Sequence, residues 1–584
     1  MDIEWEWYRG HLPSGSALSL DVETDYDKSI KKSLRTNNVI QAAISNGTDT
    51  VVARGKLMDQ MLGNLHYRNM VCGTMIVAHN GWYADIPWIR QTHPTFPWNE
   101  GETMVLGYLM DENQKLGLKV LCQKYLGVED WGEGINAEHE SHEFAEYNAK
   151  DALFTMQLCT YLEKCLGPRA NIADRILLPG MRALDTCSNR GIYLDPRAIA
   201  VADDYYGSRL QAVTDRLRDE FGIDNPRQRA IVGERLVEAG HILRKTKSGK
   251  YSTDQTTFAR LKETPIVSAL KEFYSLDKAY GAYVERYKNL SERGDGRSHS
   301  QYNIIRVSDD KRDDSTGGTT TGRTSSPDQQ LPRIRMLRAF FAAPAGFRFI
   351  TADYSAIEYR TAAWVAGEQG IIQRYRENPG FDPHTWFAGV LYGKPESQVT
   401  PDERQIAKSA NFGLLFMASP EALVEYVLKT TRRSLSLVDA KRIYDTWHGT
   451  NPMFKQFYIC TWEEMLENGY VESVTGRRRH FEYKGQTRVS RFPAWLRARC
   501  HRQAVNFLVQ GFAADIALIG LAECNRQALP ICKFEHDSVS FEVEKGLDIE
   551  NSITACLVDH PPKYLLEHFR INFDMPLQIE IKCK

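Results

Sequence analysis

The sequence predicts a multidomain protein that joins an α/β unit to a larger unit of mixed α/β and α+β class. Short apolar runs alternate with helical patterns over residues 1–165, whereas the remainder is rich in helical patterns with a few strand-like runs. The chain has 584 residues, and domains of ordinary size would divide it into three or four. Its hydrophobic content of 42% and charged content of 25% suit a soluble protein with a large buried core.

Bulk composition argues against several classes of protein. The formal net charge is −2, so any nucleic-acid site must be a local basic patch. The eleven cysteines include no CxxC pair, which argues against a zinc ribbon or a disulfide framework and predicts reduced thiols in a cytoplasm. The N-terminal segment lacks the basic and apolar regions of a signal peptide. We find no run of about 18 apolar residues and expect no membrane span.

The predicted elements follow one another in three blocks. In the N-terminal block, "GTMIVAHN" predicts a strand and "EFAEYNAKDALFTMQLCTYLEKCL" a helix, and the segment 167–171 predicts a break. Amphipathic helical patterns fill residues 172–300, and the polar, glycine-rich stretch 313–330 has the composition of a flexible linker. A strand is predicted at 347–355, helices follow, and residues 531–543 predict two strands that meet at a tight acidic turn.

Acidic residues recur in the N-terminal block where predicted elements begin or end. Asp21 and Glu23, in "LDVET", lie one residue apart on a strand and therefore point to one face. Asp85 follows an apolar run, and Tyr147 and Asp151 lie four residues apart on one helical face. A solvated acidic turn is the simpler interpretation of Asp21 and Glu23 alone. Four acids from three elements could together bind divalent cations such as Mg²⁺, whose charge would offset their repulsion.

The motifs "LDVET", "HNGWYAD" and "YNAKD" make residues 17–160 similar to the DEDD exonucleases. The branch in question places a tyrosine four residues before the last aspartate. This resemblance implies an RNase H-like fold and 3′→5′ hydrolysis of a DNA end. It also implies that the four carboxylates bind the metal ions and that Tyr147 orients the attacking water. Because all five residues are present, we expect an active nuclease.

A second set of candidate residues lies in the C-terminal two-thirds of the chain. Asp353 ends the predicted strand 347–355 and Asp537 lies in the predicted hairpin turn, although a plain turn aspartate is the simpler interpretation of each. Between them, two basic and two aromatic residues recur at four-residue steps on a predicted helix: Arg404, Lys408, Phe412 and Phe416. Each step turns the direction by about 40°, so the four line one stripe. Two cations and two rings suit a nucleoside triphosphate, and two aspartates opposite would complete a phosphoryl-transfer centre.

These motifs resemble those of the A-family DNA polymerases, the family of bacterial DNA polymerase I and many phage replicases. "DYSAIEYR" resembles motif A, "RQIAKSANFGLLF" motif B and "HDS" motif C, and stretches such as "TGRTSS" and "NFLVQGFAADI" match in order. The resemblance implies primer extension with dNTPs and proofreading by the N-terminal nuclease. It further implies a right-hand polymerase, with an exonuclease domain at 1–168, a thumb at 172–305, a palm at 306–385 and 490–584, and fingers at 386–489.

The resemblance assigns roles around the two aspartates. Asp353 and Asp537 would hold two Mg²⁺ ions, or Mn²⁺, with the backbone carbonyl of Tyr354 as a further ligand. Lys408 would lie by the α-phosphate of the incoming nucleotide, and Arg404 would bind its outer phosphates. Each exonuclease or polymerase centre is therefore expected to use two metal ions.

Four further residues are implied to surround the incoming nucleotide. His384 would bind the outer phosphates, and Phe412 would pack along the sugar and base. Phe416 would stack on the template side. Glu358 would act as a steric gate that excludes a 2′-hydroxyl and so selects dNTPs.

Five residues are implied to contact the primer–template DNA: Arg323, Arg502, Asn506, Gln510 and His536. Arg323 would reach the minor groove near the primer end, so the glycine-rich stretch becomes a tight nucleic-acid loop rather than a linker. Arg502, Asn506 and Gln510 lie at four-residue steps on a predicted helix that would face the template and the minor groove, and His536 would touch the primer terminus. Residues 477–502 add nine Lys or Arg against one Glu, which suits phosphate contacts.

The sequence departs from the family pattern at three positions. Ser538 replaces the usual glutamate of motif C, so metal geometry or rate is expected to differ while activity survives. Phe416 stands where the family usually has tyrosine, and Met417 replaces the following glycine. The missing hydroxyl predicts looser positioning of Glu358 and weaker sugar discrimination. Phe412, in place of a tyrosine, predicts poor acceptance of dideoxynucleotides.

The expected biology is that of a monomeric phage replicase in a bacterial cytoplasm. Its expected partners are primer–template DNA and dNTPs, with a phage helicase–primase and a single-strand binding protein as possible further partners. No long insertion lies around residues 255–300, where some phage relatives carry a thioredoxin-binding loop. Three alternatives are a single-subunit RNA polymerase, a nuclease whose C-terminal part merely clamps DNA, and a pure DNA-binding module. Glu358, Phe412 and the nuclease motifs argue against the first, and the complete polymerase motifs argue against the other two.

Overall fold

The computed structural model describes residues 3–25, 38–132, 137–246, 248–305, 319–431 and 433–584. Two of the sequence predictions fall partly outside these ranges. The first part of the predicted glycine-rich loop, residues 313–318, lies outside the described residues. So does the predicted start of the palm at residue 306.

The N-terminal unit is a six-stranded sheet flanked by helices. Its strands are β1 (Glu6–Trp7), β2 (Ala17–Thr24), β3 (Val39–Ser45), β4 (Thr50–Arg54), β5 (Met75–Ala78) and β6 (Gly101–Glu102). Its helices are α1 (Gly55–Cys72), α2 (Asp85–Thr92), α3 (Thr103–Met110), α4 (Leu118–Leu126) and α5 (His142–Leu166). The strand order is β1-β4-β3-β2-β5-β6, with β2 antiparallel to β3 and parallel to β5. α5 packs across β2 and β3, which brings its polar face to the end of β2.

The predicted break at 167–171 is a bend in a nearly continuous helical segment. A 3-10 turn (Gly167–Ala170) and a π-helical turn (Ala173–Leu177) connect α5 to α6 (Leu178–Arg190). Gly167 has a φ of 54°, which ends α5 in the left-handed region that glycine adopts readily. Ile176 and Leu177 of the π-helical turn are fully buried, which explains why the chain stays packed here instead of forming a loop.

A helical unit with its own core follows. Its elements are β7 (Ile192–Tyr193), α7 (Pro196–Phe221), α8 (Arg229–Glu238), α9 (Gln255–Arg260), α10 (Pro265–Ala279), α11 (Arg286–Ser291) and β8 (Arg297–Ser298). Asp195 caps α7 by accepting from two backbone N–H groups, and Pro196 occupies the first helical position. α7 and α10 pack against each other around a separate buried cluster. The predicted run of amphipathic helices over 172–300 is confirmed.

The C-terminal half is built on a second sheet, of order β12-β13-β9-β14, with antiparallel neighbours. In chain order its elements are α12 (Arg335–Arg338), β9 (Phe347–Tyr354), α13 (Ile357–Ala366), α14 (Gln369–Glu377), α15 (Pro383–Tyr392), α16 (Pro401–Leu415), α17 (Pro420–Thr431), α18 (Leu437–Thr450), α19 (Met453–Asn468), β10 (Tyr470–Glu472), β11 (Arg478–His480), α20 (Ala494–Arg526), β12 (Ile531–Glu535), β13 (Ser538–Glu544), α21 (Glu550–Thr554), α22 (His560–Phe569) and β14 (Ile579–Cys583). The predicted strand at 347–355 and the predicted hairpin at 531–543 are confirmed.

α16 is a well-capped helix that ends one residue earlier than the sequence predicts. Thr400 and Glu403 form a capping box at its N-terminus. At its C-terminus, Phe416 is the cap and Met417 has a φ of 64°. The predicted stripe therefore holds for its first three residues, whereas Phe416 lies just beyond the helix because the backbone turns left-handed after it.

α20 is the longest helix among the described residues. Its 33 residues are apolar enough, by mean hydropathy and length, to cross a membrane, which the search for unbroken apolar runs did not reveal. However, 89% of its most apolar window is buried inside the protein. That burial is typical of a core helix in a soluble protein.

One buried cluster joins the N-terminal sheet unit to the C-terminal half. It includes Val77 and Trp82 from the first unit, and Ile304 and Phe512 from the second. Tyr302 belongs to the same cluster, and the hydroxyl of Tyr83, which packs against the cluster, donates to the backbone carbonyl of Tyr302 at 2.8 Å. The two units therefore share apolar core rather than meeting through a polar surface alone.

Candidate active centres

The acids predicted in the N-terminal unit converge at the end of β2. Asp21, Glu23 and Asp151, the last on α5, each offer one carboxylate oxygen, and these oxygens lie within 4.8 Å of one another. Asp85, in the first turn of α2, accepts a hydrogen bond from the backbone N–H of Val22 at 2.9 Å. That bond holds the Asp85 carboxylate beside the same strand. The structure thus brings together all four acids of the first predicted set.

Burial, reinforced by mutual repulsion, raises the pKa values of these carboxyl groups. Burial raises the pKa of Glu23 to about 8, with additional increases from Asp151 and Asp85. Burial also raises the pKa of Asp85 to about 7 and that of Asp21 well above its ordinary range. Closely spaced carboxylates favour a bound positive charge, and hard divalent cations prefer oxygen ligands. The residues present therefore fit a divalent metal centre.

A lysine that the sequence analysis did not identify lies inside this acidic centre. Lys119, on α4, donates from Nζ to the hydroxyl of Tyr147 at 3.0 Å and to the two carboxylate oxygens of Asp151 at 3.2 and 3.3 Å. The indole of Trp131 also donates to Asp151, at 2.5 Å. Lys119 therefore orients Tyr147 and supplies positive charge to the acids. The contact of Lys119 with the acids could not be predicted from the sequence, because α4 contains none of the predicted site residues.

A chain of hydrogen bonds holds Asp21 from behind the site. The amide of Asn148 donates to Asp21 Oδ2 at 2.7 Å. Gln41 donates to Asn148 Oδ1 at 3.1 Å, and Arg54 Nε donates to Gln41 Oε1 at 2.6 Å. Asn148 and Gln41 are fully buried, so these bonds fix the carboxylate of Asp21 relative to α5. The sequence analysis missed this relay because its members lie on three separate elements.

Asp353 and Asp537 lie side by side at the end of the second sheet. Ser538 pairs with Asp353 in the register of β13 and β9, so Asp537 is the next residue beyond that pair. The backbone N–H of Tyr354 donates to the carbonyl of Asp537 at 3.1 Å. Burial, and then the charge of Asp537, raises the pKa of Asp353 to about 6, and burial raises the pKa of Asp537 as well. Two adjacent carboxylates of this kind again fit divalent cations.

The two aspartates line a cleft of about 510 Å³ with basic walls. Six cationic side chains line it with them: Arg333, Arg335, Arg338, Lys533, Lys582 and Lys584. A third acid of the lining, Glu535, pairs with Arg338 and Lys533. Such a cleft suits a polyanion whose charge exceeds that of the two carboxylates. The sequence analysis did not single these residues out, although the alternating arginines of "PRIRMLR" are a signal that could have been used.

α16 is held beside this centre by its own packing and by an ion pair. Ala407 and Ala410 share one buried cluster with Ala362 of α13, the helix that follows β9. Arg404 Nε donates to Asp382 Oδ2 at 2.6 Å, and Asp382 in turn caps α15 by accepting from the backbone N–H of residue 384. The structure thus brings Arg404 next to the start of α15, where the predicted phosphate-binding histidine lies.

His384 is held in one tautomer by its neighbours. Trp447 Nε1 donates to Asn411 Oδ1 at 2.9 Å, and an indole nitrogen can only donate. The amide nitrogen of Asn411 therefore faces His384 and donates to its Nδ1 at 3.0 Å. Burial lowers the pKa of His384 to about 4, so the ring is neutral at neutral pH and carries its proton on Nε2. His384 can then donate one hydrogen bond from Nε2 to an anion, and its ring centroid lies 5.5 Å from that of Phe412.

Glu358 and Arg323, which the resemblance assigns to sugar selection and to DNA binding, form an ion pair with each other. The side chain of Glu358 is 14% exposed and that of Arg323 is 25% exposed, so the pair is largely shielded from water. Glu358 therefore has a charged partner that the sequence analysis did not foresee. The looser positioning expected from the missing hydroxyl of Phe416 stays a prediction.

A buried ion pair supports the loop that carries Arg323. Arg477 and Asp515 form a pair whose side chains are 3% and 0% exposed, and neither residue was identified from the sequence. Gly322 has a φ of 78°, and a Cβ there would lie 2.8 Å from the guanidinium of Arg477. Glycine is required at this position by both conformation and space. Residues 319–323 are thus a tightly packed turn, as predicted, and not a linker.

The residues predicted to contact DNA lie along α20 and in the β12–β13 turn. Arg502 is exposed, and Asn506 and Gln510 are half-buried. His536 has a φ of 60°, which turns its side chain within the tight acidic turn. Among the described residues, Nδ1 of His536 and Oδ1 of Asn506 are buried atoms without a hydrogen-bond partner. Each atom can accept a hydrogen bond from a ligand, although unpaired buried atoms also occur elsewhere, as at Trp82 and Tyr375.

The protein has one acidic centre in its N-terminal α/β unit and a second acidic centre beside α16, a well-capped helix with basic residues. This combination is typical of the class of polymerases with an attached nuclease domain. Comparison with protein families agrees with this class. The family described as "DNA polymerase family A" matches residues 205–583, and the family described as "3'-5' exonuclease" matches residues 8–167. The chain therefore belongs to DNA polymerase family A.

The most similar relatives include bacterial DNA polymerases I. That of Chloroflexus aurantiacus is 28% identical over 408 residues, which cover 67% of this chain and 41% of the relative. That of Borreliella burgdorferi is 27% identical over 510 residues, which cover 82% of this chain and 52% of the relative. The thermostable enzyme of Thermus aquaticus is 29% identical over 342 residues, covering 57% of this chain and 38% of the relative. The chain thus spans about half, or less, of the length of these relatives.

A solved structure has the same fold. The POL domain of Pol1 from M. smegmatis, in complex with DNA primer–template and dNTP, superimposes with a TM-score of 0.77 at 21% sequence identity. The match covers 98% of this chain and 95% of that one. The predicted fold class, an exonuclease domain followed by a polymerase domain, is confirmed.

Proposed function

We propose that this chain is a template-directed DNA polymerase that extends a primer 3′ end with dNTPs and removes mispaired ends by 3′→5′ hydrolysis. The observation that carries the proposal is the adjacency of Asp353 and Asp537 in a basic cleft, beside a helix that presents Arg404 and Lys408. A clamp or a pure binding module would have no use for two adjacent buried carboxylates, because they repel the phosphates of DNA.

Asp353 and Asp537, with the carbonyl of Tyr354, would hold two Mg²⁺ ions, which lower the pKa of the primer hydroxyl and neutralise the leaving pyrophosphate. Mn²⁺ would fit the same oxygen ligands. Lys408 would contact the α-phosphate and Arg404 the outer phosphates. Neutral His384, with its proton on Nε2, would donate to the same phosphates without adding charge.

Phe412 and Glu358 would define the nucleotide's sugar and base pocket. The ring of Phe412, beside His384, offers a flat surface for the sugar and base. Glu358 would exclude a 2′-hydroxyl, and its ion pair with Arg323 keeps the carboxylate in place. When primer–template binds, the guanidinium of Arg323 would contact the minor groove as well as Glu358. Four further residues would also contact the DNA: Arg502, Asn506, Gln510 and His536.

In the N-terminal centre, the four carboxylates would hold the ions that activate water and stabilise the leaving oxygen of a phosphodiester. Tyr147 would orient the attacking water. Lys119 donates to the hydroxyl oxygen of Tyr147, and that hydroxyl also hydrogen-bonds to Asp151, so Tyr147 is held beside one of the proposed metal ligands. The relay through Asn148 would keep Asp21 in the geometry that binding two ions requires.

A primer-extension assay tests both centres together. A 5′-labelled primer on a longer template is incubated with Mg²⁺, with and without dNTPs, and the products are resolved by length. We expect extension with dNTPs and stepwise shortening without them. Asp353→Asn should abolish extension alone, and Asp21→Asn should abolish shortening alone. Shortening by the unmodified protein in both conditions would reject the polymerase part of the proposal.

The finer assignments rest on the sequence resemblance. We propose the domain boundaries 1–168, 172–305, 306–385 with 490–584, and 386–489, supported by the helical unit after α6 and by the second sheet. Replication of a phage genome in a bacterial cytoplasm, with a helicase–primase and a single-strand binding protein, stays a prediction, because the relatives named above are bacterial enzymes. Extension of a primer by a purified single chain would support the monomeric state.

A further inference from the structure

The first two turns of α20 present an exposed tryptophan among unpaired arginines. Trp495 is 62% exposed, and Arg499 and Arg502 are also exposed. In the described part of the chain, neither arginine has an ion-pair partner, and the indole contacts no other ring. On α7, by comparison, three of the four arginines pair with acids: Arg209 with Glu272, Arg216 with Glu220, and Arg218 with Asp215.

These residues lie on the face of α20 that carries the predicted DNA contacts. With about 100° of turn per residue, Trp495, Arg499, Arg502 and Asn506 fall within about 60° of one another. Trp495 is about 10 Å from Arg502 along the helix axis, at 1.5 Å of rise per residue. The row formed by Arg502, Asn506 and Gln510 therefore continues for about two turns toward the N-terminus of α20. It passes Arg499 and ends at the exposed ring of Trp495.

Packing along α20 shows which side of the polymerase centre this end occupies. A Cβ at Gly511 would lie 3.4 Å from the carbonyl of Thr321, so this part of α20 lies beside the turn whose Arg323 is proposed to reach the primer end. Ten residues earlier, His501 Nε2 lies 2.8 Å from the carbonyl of Tyr458. The hydroxyl of Tyr458 donates to the carbonyl of Leu414 at 3.0 Å, next to the end of α16 and Phe416. Trp495 lies six residues before His501, about 9 Å further along the helix axis and away from the turn that carries Arg323.

We infer that Trp495 and Arg499 form a binding surface for the unpaired template strand ahead of the insertion site. This inference rests on the proposed polymerase function. An exposed aromatic ring provides a stacking surface for any base, and arginines without acidic partners bind the phosphates on either side. Of the nine basic residues in segment 477–502, Arg477, Arg478 and Arg479 pair with Asp515, Glu472 and Glu112. The other six, between Lys484 and Arg502, have no ion-pair partner among the described residues and can meet the phosphates of a single strand. A protein partner would be expected to meet large apolar neighbours around the ring, but the exposed residues next to Trp495 on α20 are the small Ala494 and Ala498 and the cationic Arg499.

The test measures the affinity of the full chain for labelled primer–templates that share one duplex. The template carries a 5′ overhang of one or eight nucleotides, and a third substrate carries an unpaired 3′ primer end instead. Binding is measured by fluorescence anisotropy in EDTA so that no trimming occurs. We expect Trp495→Ala to raise the Kd for the eight-nucleotide overhang about tenfold, the effect of losing one stacked base. The Kd for the other two substrates should change less than twofold.

Matched variants separate this surface from general effects. Trp495→Phe keeps a ring and should retain most of the affinity, and Tyr67→Ala removes an aromatic residue of equal exposure, 63%, from α1 and should change nothing. Arg499→Ala should lower the salt dependence of overhang binding by about 0.7 in the logarithmic slope. Equal weakening of all three substrates, or no weakening, would overturn the inference. A loss restricted to the unpaired 3′ end would overturn it in favour of a primer path to the nuclease centre. If the unmodified protein binds none of the three DNA substrates, the proposed polymerase function is rejected, and this inference is rejected with it.

Discussion

Glu23 shows how a single buried carboxyl group couples the nuclease centre to stability. Its pKa rises from an ordinary 4.5 to about 8, because it is buried among other acids. The metal-free native state therefore binds the proton more tightly than the unfolded chain does. By linkage, the free energy of unfolding is greatest below the ordinary pKa and falls as pH rises toward 8.

This linkage predicts the behaviour of Glu23→Gln. Without metal, the variant should unfold at a temperature a few degrees higher than the unmodified protein at pH 8, and at about the same temperature near pH 5. Saturating Mg²⁺ should remove the advantage at pH 8, because the ion compensates the same charge. Thermal unfolding followed by circular dichroism at both pH values measures the effect. An exposed change, Glu129→Gln, serves as the control, and an equal shift at both pH values would contradict the explanation.

Phe416 offers a second prediction at the scale of one residue. Phe416→Tyr adds a hydroxyl that is expected to bond to Glu358, whose carboxylate keeps acceptor capacity while it pairs with Arg323. One hydrogen bond of about 1 kcal/mol would lower ribonucleotide incorporation by about fivefold. Single-nucleotide incorporation with matched dNTP and rNTP measures the ratio. Phe457→Tyr, on α19, is the control, and an unchanged ratio for Phe416→Tyr would mean that the Arg323 pair alone fixes the gate.

At this scale, sequence reasoning found the acids and missed what holds them. Asp21, Glu23 and Asp151 were predictable because their spacing reflects strand and helix geometry. Lys119 and Asn148 were not: Lys119 lies on α4, away from the acidic motifs, and the bond from Asn148 to Asp21 depends on how α5 packs across β2. Such contacts depend on how distant elements pack, and the sequence alone does not encode that as a local pattern.

Among the elements, the turn between α16 and α17 departs most clearly from the predicted pattern. Met417 adopts a φ of 64°, at the position where the family usually has glycine. The turn is nevertheless closed by backbone bonds, from the N–H of Met417 to Leu414 and from that of Ala418 to Gly413. A non-glycine residue in this region costs roughly 1–2 kcal/mol.

Two substitutions at Met417 separate this conformational cost from packing. Met417→Gly relieves the strain, whereas Met417→Ala keeps the Cβ, and both remove the same apolar side chain. We expect the glycine variant to be more stable than the alanine variant by about 1 kcal/mol, measured by chemical unfolding. Equal stabilities would show that the turn relaxes without cost.

Element types were more predictable than element ends. The strand that carries Asp353, the hairpin whose turn holds Asp537 and the helix that carries Tyr147 are all present as predicted. The end of α16 was misplaced because the four-residue stripe continues through Phe416 while the backbone turns. The apolar character of α20 was overlooked because scattered polar residues such as Asn506, Gln510 and Asp515 interrupt its run.

At the scale of the whole molecule, a second contact ties the nuclease unit to the polymerase unit. Glu112, after α3, accepts from Arg479 at 2.7 Å and from the backbone N–H of His480 at 2.7 Å. Its other oxygen lies 2.9 Å from Nδ1 of His480. The side chain of Glu112 is 4% exposed, so this network is a buried bridge between α3 and β11. Its arginine and histidine partners hold the pKa of Glu112 below its ordinary value, despite the opposing effect of burial.

Removing this bridge should loosen the two units without touching either centre. Glu112→Ala removes the acidic partner of Arg479, whose side chain is 12% exposed and keeps a hydrogen bond to Asn113 Oδ1. The cost should therefore fall below the roughly 3–5 kcal/mol that is typical of breaking a fully buried pair. We expect a lower unfolding temperature and slower trimming of a mispaired primer–template, with trimming of single-stranded DNA unchanged. Glu129→Ala is the control for a loss of charge in the same unit. Equal slowing on both substrates would mean that the nuclease centre itself has been disturbed.

The shared apolar cluster has a practical consequence for anyone who wants a nuclease-free version of this protein. Val77 and Trp82 on one side, and Ile304 and Phe512 on the other, belong to one core, so truncation near residue 170 would cut through it. The resulting fragment would expose a broad apolar face and should aggregate, which light scattering would detect. A full-length chain with Asp21→Asn should stay dispersed at the same concentration. Silencing the nuclease by point substitution, and not by truncation, is therefore the route that this architecture permits.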